Sequence, residues 1–301
     1  MSEAAPTVVR VPAHAKANLF LRVLARESSG FHSIETLFTL LELSDELTVE
    51  ATKGGIELAV EGPDTGPADE NLAARAARLV LEATGYRFGV RMRLVKRIPV
   101  QAGLGGGSSD GAAALHAVNS LARHAVPRHE ILQLAAKLGS DVVFFASGAP
   151  LALGWGRGER LYRVPPPPGA PALLAVPSFG ISTPDAYAAL DAAREHHPPR
   201  GAIVLDPSAF DTWGNIGRLG GNDFESVAFG KDPRLRDLFE RVASTRPLLV
   251  RLSGSGSAIL AVYQTDGARD AASKVIGERD QRLIHTATRS VPAPAPTPAT
   301  R

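Results

Sequence analysis

The residues best suited to chemistry lie in Lys96-Arg97-Ile98-Pro99-Val100-Gln101-Ala102-Gly103-Leu104-Gly105-Gly106-Gly107-Ser108-Ser109-Asp110, where four of the five residues 103–107 are glycine. Glycines in this density let the backbone take turns that a side chain forbids. Peptide N–H groups in such a turn can converge on an anion, and a helix starting there adds the positive end of its dipole. Ser108 and Ser109 can cap that helix, and their hydroxyls can donate to phosphate oxygens or meet a metal ion. The pattern predicts a phosphate loop between a strand and a helix. It is not a Walker A loop, because Ser108 and not a lysine follows Gly107. A dinucleotide fingerprint also fits poorly, since His129 and Glu130, beyond a proline, stand where its acidic residue belongs.

Two charged residues sit oddly among apolar ones. Asp141 precedes Val142-Val143-Phe144-Phe145. An apolar wall there would dry the carboxylate and raise its basicity, as a general base requires. Ser140-Asp141 could equally cap a short helix. Lys16 interrupts Ala15-Lys16-Ala17-Asn18-Leu19-Phe20-Leu21, where a lysine either snorkels from an edge or is held inward for use.

Positioning these groups requires both strands and helices. Residues 7–11 and 19–24 read as strands, as do 47–51 and 56–61, the latter two joined as a hairpin by Lys53-Gly54-Gly55. Leu72, Ala76, Leu79, Val80 and Ala83 recur at helical spacing, with Gly85 as the stop. Val90, Met92 and Leu94 alternate with Arg91 and Arg93, a strand with one polar face. Helices are predicted over about 109–124 and 129–138. In the second half, strands are expected over 173–176 and 248–252 and a helix over 233–242. Hairpins break the strict βαβ rhythm, which favours the α+β class.

The 301 residues are 44% hydrophobic and 21% charged, enough to fill the cores of two packed domains. A formal charge of +2 and 6% aromatic residues exclude a nucleic-acid binder that relies on a dense cationic face. The absence of cysteine excludes disulfides, thiolate metal sites and cysteine nucleophiles. The opening MSEAAPTVVR has no leader pattern, and no apolar run reaches the roughly 18 residues of a membrane span. A soluble cytoplasmic protein without nucleic-acid or membrane partners is expected, as a monomer or weak homodimer. The proline cluster at 164–172 reads as a joint or loop, and the Pro/Ala-rich stretch from Val291 as a disordered tail.

Several motifs, in order, resemble those of the GHMP kinases, the superfamily of galactokinase, homoserine kinase and mevalonate kinase. They are Ala15 to Leu21 with Gly30-Phe31-His32; Pro99 with Gly103-Leu104-Gly105-Gly106-Gly107-Ser108-Ser109; Leu138-Gly139-Ser140-Asp141-Val142-Val143-Phe144-Phe145; residues 154–159; Asn222-Asp223-Phe224-Glu225; and Leu252-Ser253-Gly254-Ser255-Gly256-Ser257. The resemblance spans about residues 8–285. It implies a two-domain fold with the active site in the interdomain cleft: an ATP-binding domain over 1–160, a C-terminal domain over 161–290, and the tail 291–301. It is strongest toward the branch whose small-molecule substrate is 4-diphosphocytidyl-2-C-methyl-D-erythritol, phosphorylated by ATP on its 2-hydroxyl in the non-mevalonate isoprenoid precursor pathway. Another GHMP kinase, acting on homoserine or mevalonate, is the nearest alternative. A non-catalytic nucleotide sensor is the alternative of a different class, opposed by the presence of both Lys16 and Asp141.

The same resemblance implies the roles. Asp141 is the base, or orients the hydroxyl, and Lys16 pairs with it and stabilises the alkoxide or the transferring phosphate. Pro99, Gly103, Leu104, Gly105, Gly106, Gly107, Ser108 and Ser109 hold ATP, with Asn71 and Lys96 near adenine. Phe31, His32 and Tyr187 form a cytidine pocket, in which an aromatic pair can sandwich the pyrimidine. Asn18 and Thr183 meet the methylerythritol or its phosphates, and Gly254, Ser255 and Gly256 shape the cleft. Mg²⁺ is expected with the nucleotide, without a dedicated carboxylate cage. Four positions depart from the usual pattern: Ser29 and Phe31 in place of aspartate and tyrosine, Val143 in place of proline, and Gly111 in place of alanine.

Overall fold

The computed structural model describes residues 7–194 and 206–299. Its first half runs β1 (Val8–Arg26), β2 (His32–Thr52), β3 (Ile56–Glu61), α1 (Leu72–Ala83), β4 (Gly89–Val95), α2 (Gly106–Leu121), α3 (Arg128–Leu138), α4 (Ser140–Ser147), β5 (Leu151–Gly156) and β6 (Arg160–Arg163). The second half runs β7 (Pro171–Pro177), α5 (Thr183–Arg194), α6 (Trp213–Arg218), α7 (Phe224–Lys231), α8 (Pro233–Ser244), β8 (Leu249–Leu252), β9 (Ile259–Val262), α9 (Asp266–Ile276), β10 (Gln281–Ala287) and β11 (Thr297–Pro298). No helix among the described residues is long and apolar enough to cross a membrane.

Two sheets organise the α+β fold. The first has the order β11-β1-β2-β4-β3, with β5 paired to the outer part of β2 and β6 to β5; the second has the order β10-β7-β9-β8. β1 and β2 form one long antiparallel ladder, so the expected strands at 7–11 and 19–24 are parts of a single strand. The expected hairpin between 47–51 and 56–61 does not form. β4 lies between β2 and β3, antiparallel to one and parallel to the other, and α1 is the crossover. Burial explains the order: β4 hides Val90, Met92 and Leu94 completely, as a central strand must, whereas every residue of β3 keeps some exposure.

The first core packs one face of the first sheet, with Val11, Leu47, Val49, Met92 and Leu94, against α1 to α4. α1 follows the apolar spacing read from the sequence and is capped by Asn71, whose Oδ1 accepts the Ala73 N–H at 2.9 Å. A methyl on Gly111 would stand 3.3 Å from Leu72 Cβ, so the missing side chain lets α2 press against α1. β7 serves both remaining cores by strand alternation: Leu174 and Val176 join Leu19, Leu37 and Leu260 between the sheets, while Leu173 and Ala175 face the helices of the second half.

The tail departs from expectation. From Val291 it runs back over the first sheet instead of being disordered: Ala293 N–H donates to the Gly148 carbonyl at 3.2 Å, and Thr297 and Pro298 pair with Arg10 and Val9. β1 is otherwise an open edge along that stretch, and an edge of unpaired N–H and C=O groups accepts any extended segment, proline-rich or not. Thr300 and Arg301 lie outside the described residues.

Candidate active site

α2 begins at Gly106, three residues before its sequence-based start, and Gly105 occupies the cap position at φ +69°. No side chain caps this end. The first-turn amides of Gly106, Gly107 and Ser108 therefore lack the intrahelical acceptors that later residues have. They border a cavity of about 630 Å³ also lined by Asn71, Lys96, Pro99, Gly103, Leu104 and Asp110. Ser109 does not reach it. Its side chain turns inward, 3% exposed, and its hydroxyl donates to the His14 carbonyl at 2.7 Å. The serine expected at the anion instead fastens α2 to β1.

Beneath this loop lies a buried ionic triad absent from the sequence reading. Lys96 Nζ donates to Asp110 Oδ2 at 2.6 Å and also to Asp45. Asp45, on β2, accepts the Ile98 N–H at 2.8 Å. Burial opposes the Lys96 charge, yet Asp110 and Asp45 together hold its pKa above the ordinary value. Burial pushes the Asp110 carboxyl up to about 7; the Lys96 charge resists this and the Asp45 charge adds to it. With its ammonium committed to two carboxylates, Lys96 can offer a nucleotide only its stem or backbone. No local signal marks Asp45, which stands between Ser44 and Glu46 in a polar stretch; its full burial comes from partners distant in sequence.

A second glycine turn, residues 253–257, backs onto the first. Ser253 Oγ donates to the Gly103 carbonyl at 2.9 Å, and Ala258 N–H to the Ala102 carbonyl at 3.1 Å. Asn222 holds this turn by donating Nδ2 to the carbonyls of Leu252 at 2.8 Å and Gly254 at 2.6 Å. Gly254, Ser255 and Gly256 are buried, and Ser255 Oγ lies 2.9 Å from Thr183 Oγ1 at the start of α5.

Lys16 and Asn18 lie on β1 between bulges at His14/Lys16 and Asn18/Phe20, irregularities that commonly re-aim side chains beside active sites. Lys16 is held inward: its side chain is 5% exposed, and Nζ stands 3.5 Å from Asp141 Oδ2 and 2.7 Å from Asn18 Oδ1. A methyl on Gly105 would lie 3.1 Å from Lys16 Cγ, which sets the lysine directly beside the glycine loop. Asn18, expected to meet substrate, is 1% exposed. Its Oδ1 accepts Lys16 and the Gly254 N–H at 3.0 Å, and its Nδ2 donates to Thr36 Oγ1 at 2.8 Å. It orients the lysine instead of facing the cleft. Asp141 sits in the first turn of α4, but the cap position is Gly139 and no side chain caps this end, so the capping alternative for Ser140-Asp141 does not hold. The residues after it, 142–145, are buried in the core, but the Asp141 side chain keeps 37% exposure, so the dry wall expected around it is not there.

The three residues expected around cytidine separate into two contacts. His32 stacks on Tyr187 with ring centroids 4.6 Å apart, and its Nε2 lies 2.7 Å from Asp191 Oδ1. Burial, with the Asp141 charge second, pushes the Tyr187 phenol up to about 12. Phe31 stands apart from that stack, with the Arg157 guanidinium 4.1 Å from its centroid.

Residues 71–149 match the GHMP kinases N terminal domain and 208–279 the GHMP kinases C terminal domain. The 4-diphosphocytidyl-2-C-methyl-D-erythritol kinase of Pelotomaculum thermopropionicum is 36% identical over 92% of this chain and 97% of its own. The enzyme of that name from Mycolicibacterium gilvum is 38% identical over 98% and 96%. A crystal structure of 4-(cytidine 5'-diphospho)-2C-methyl-D-erythritol kinase superposes with a TM-score of 0.78 at 34% identity, covering 92% of this chain and 98% of that one. Homoserine kinase from Cytophaga hutchinsonii, at 19% identity and a TM-score of 0.70 over 99% of each chain, shares the fold. An uncapped glycine helix, a lysine–aspartate pair beside it and this breadth of similarity agree: the chain belongs to the GHMP kinases and, within them, to the 4-diphosphocytidyl-2-C-methyl-D-erythritol kinase family.

Proposed function

We propose that this chain transfers the γ-phosphate of ATP to the 2-hydroxyl of 4-diphosphocytidyl-2-C-methyl-D-erythritol. The observation that carries the reading is the ion pair of Lys16 with Asp141 beside the helix end of the glycine loop. Phosphoryl transfer asks a protein for aligned reactants and neutralised charge, and a carboxylate paired with an ammonium beside such a loop can supply both.

In this mechanism the first-turn amides of α2 hold the phosphates of ATP, with Asn71, Lys96 and Pro99 around the base. Asp141 takes the hydroxyl proton as the new O–P bond forms and the bond from the γ-phosphorus to the bridging oxygen breaks, releasing ADP. Lys16, fixed by Asn18, stabilises the charge that develops on the attacking and transferring oxygens. Thr183 and the turn around Ser255 line the acceptor side, and His32, Phe31 and Tyr187 receive the cytidine.

Among the described residues no group of three or more acidic or histidine side chains could hold a metal ion, and Lys96 repels a cation from Asp45 and Asp110. Mg²⁺ would accompany the nucleotide on its phosphate oxygens, where it neutralises charge.

The test is a coupled ADP-release assay of the purified chain with ATP and, in parallel, the cytidine substrate, homoserine and mevalonate. Turnover with the cytidine substrate alone is the expected result. Turnover with homoserine or mevalonate and none with the cytidine compound overturns the reading.

A further inference from the structure

Phe31 is 58% exposed at the tip between β1 and β2, and Arg157 lies over its ring. Arg157 belongs to the turn between β5 and β6, distant in sequence. Its Nη2 donates to Glu27 Oε2 at 2.6 Å and to Ser29 Oγ at 3.0 Å, while Nε donates to Glu27 Oε2 at 3.2 Å. Glu27 and Phe31 in turn close the tip: the Glu27 N–H donates to the Phe31 carbonyl at 2.7 Å, with Gly30 at φ +85° making the bend. The fork of the guanidinium is thus held by the residues that shape Phe31's own turn.

The other end of this brace is also fixed. The Arg157 N–H donates to Glu159 Oε2 at 2.6 Å. A methyl on Gly158 would lie 3.5 Å from Ile34 and Phe38 and 3.8 Å from Ser140, the neighbour of Asp141. A solvated ring turns freely about two side-chain bonds, and freezing it when substrate arrives costs conformational entropy. A guanidinium stacked on one face sets the plane beforehand and leaves the other face for a planar ligand.

We propose that Arg157 is a positioning residue for the cytidine-bearing substrate, presetting Phe31 as one wall of the pyrimidine site and tying that wall to the turn beside Asp141. The inference rests on the reading of Phe31 given under Proposed function.

A double-mutant cycle on the full chain tests it, with melting temperatures recorded for each variant. Arg157→Ala is expected to raise KM for the cytidine substrate about fivefold while moving KM for ATP less than about twofold. Phe31→Ala is expected to raise the same KM, and adding Arg157→Ala to it should change nothing further, because the arginine acts through the ring. An undiminished Arg157→Ala effect in the Phe31→Ala background overturns the positioning role in favour of direct contact. A raised KM for Phe31→Ala with none for Arg157→Ala overturns the role of Arg157 alone. No change in either KM overturns the cytidine reading of Phe31 as well.

Discussion

A methyl group on Gly103 would stand 2.0 Å from the carbonyl oxygen of Ser253. The two glycine turns, 150 residues apart, therefore meet backbone to backbone, as the Ser253 hydroxyl bond to the Gly103 carbonyl records. Gly103 also holds φ +77°, where side chains are strained. Gly103→Ala should cost roughly 2–4 kcal/mol of stability and lower turnover steeply, since both turns must part to admit the methyl. Chemical denaturation together with the kinase assay checks this; a variant with wild-type stability would mean that the turns separate without loss.

Asp141 is the group whose loss should harm chemistry without harming nucleotide binding. Asp141→Ala is expected to lower turnover at least ~100-fold while the ATP dissociation constant stays within about threefold. Turnover by a coupled assay and affinity by calorimetry separate the two. Unchanged turnover would remove Asp141 from the mechanism.

The buried triad predicts a pH signature in stability. Asp110 has its ordinary value near 3.8 in the unfolded chain and about 7 when folded. A raised folded pKa means that the native state holds the proton longer, so this group's contribution is intact below the unfolded value and is lost as pH climbs through the folded one. Relative to Asp110→Asn, the wild type should lose stability progressively between about pH 4 and pH 7. Thermal melts of both proteins across that window measure the difference, and parallel curves would show that Asp110 does not titrate there.

The tail is expected to support the sheet and not the chemistry. Deleting residues 291–301 removes the pairing of Thr297 and Pro298 with β1 and the Ala293 bond to Gly148. The melting temperature should fall by roughly 2–6 °C with kcat/KM unchanged. A loss of turnover that is not accompanied by a lower melting temperature would give the tail a part in catalysis.

Asn222 offers a fifth test, because its amide satisfies two buried carbonyls at once. Asn222→Ala leaves both without that donor and should destabilise the chain by about 2–4 kcal/mol. Urea titration reads the loss, and a value under about 0.5 kcal/mol would mean that the carbonyls find other donors.

The sequence by itself determined the local pieces. Glycine density between a strand pattern and a helix pattern marked the loop at 103–107, and apolar spacing marked α1 and β4, because these follow from backbone freedom and from faces that must be buried. The order of motifs was enough to suggest a GHMP kinase. Only the tertiary structure decided which partners those pieces meet. That β4 would separate β2 from β3 depends on the burial competition among strands, which no hairpin signal in Lys53-Gly54-Gly55 can express. That Ser109 and Asn18 face inward, and that Lys96 is gripped by Asp45 and Asp110, depends on hydrogen-bonding groups brought together from distant stretches. A side chain's role is set by which groups surround it, and for these residues the deciding neighbours come from other elements of the fold.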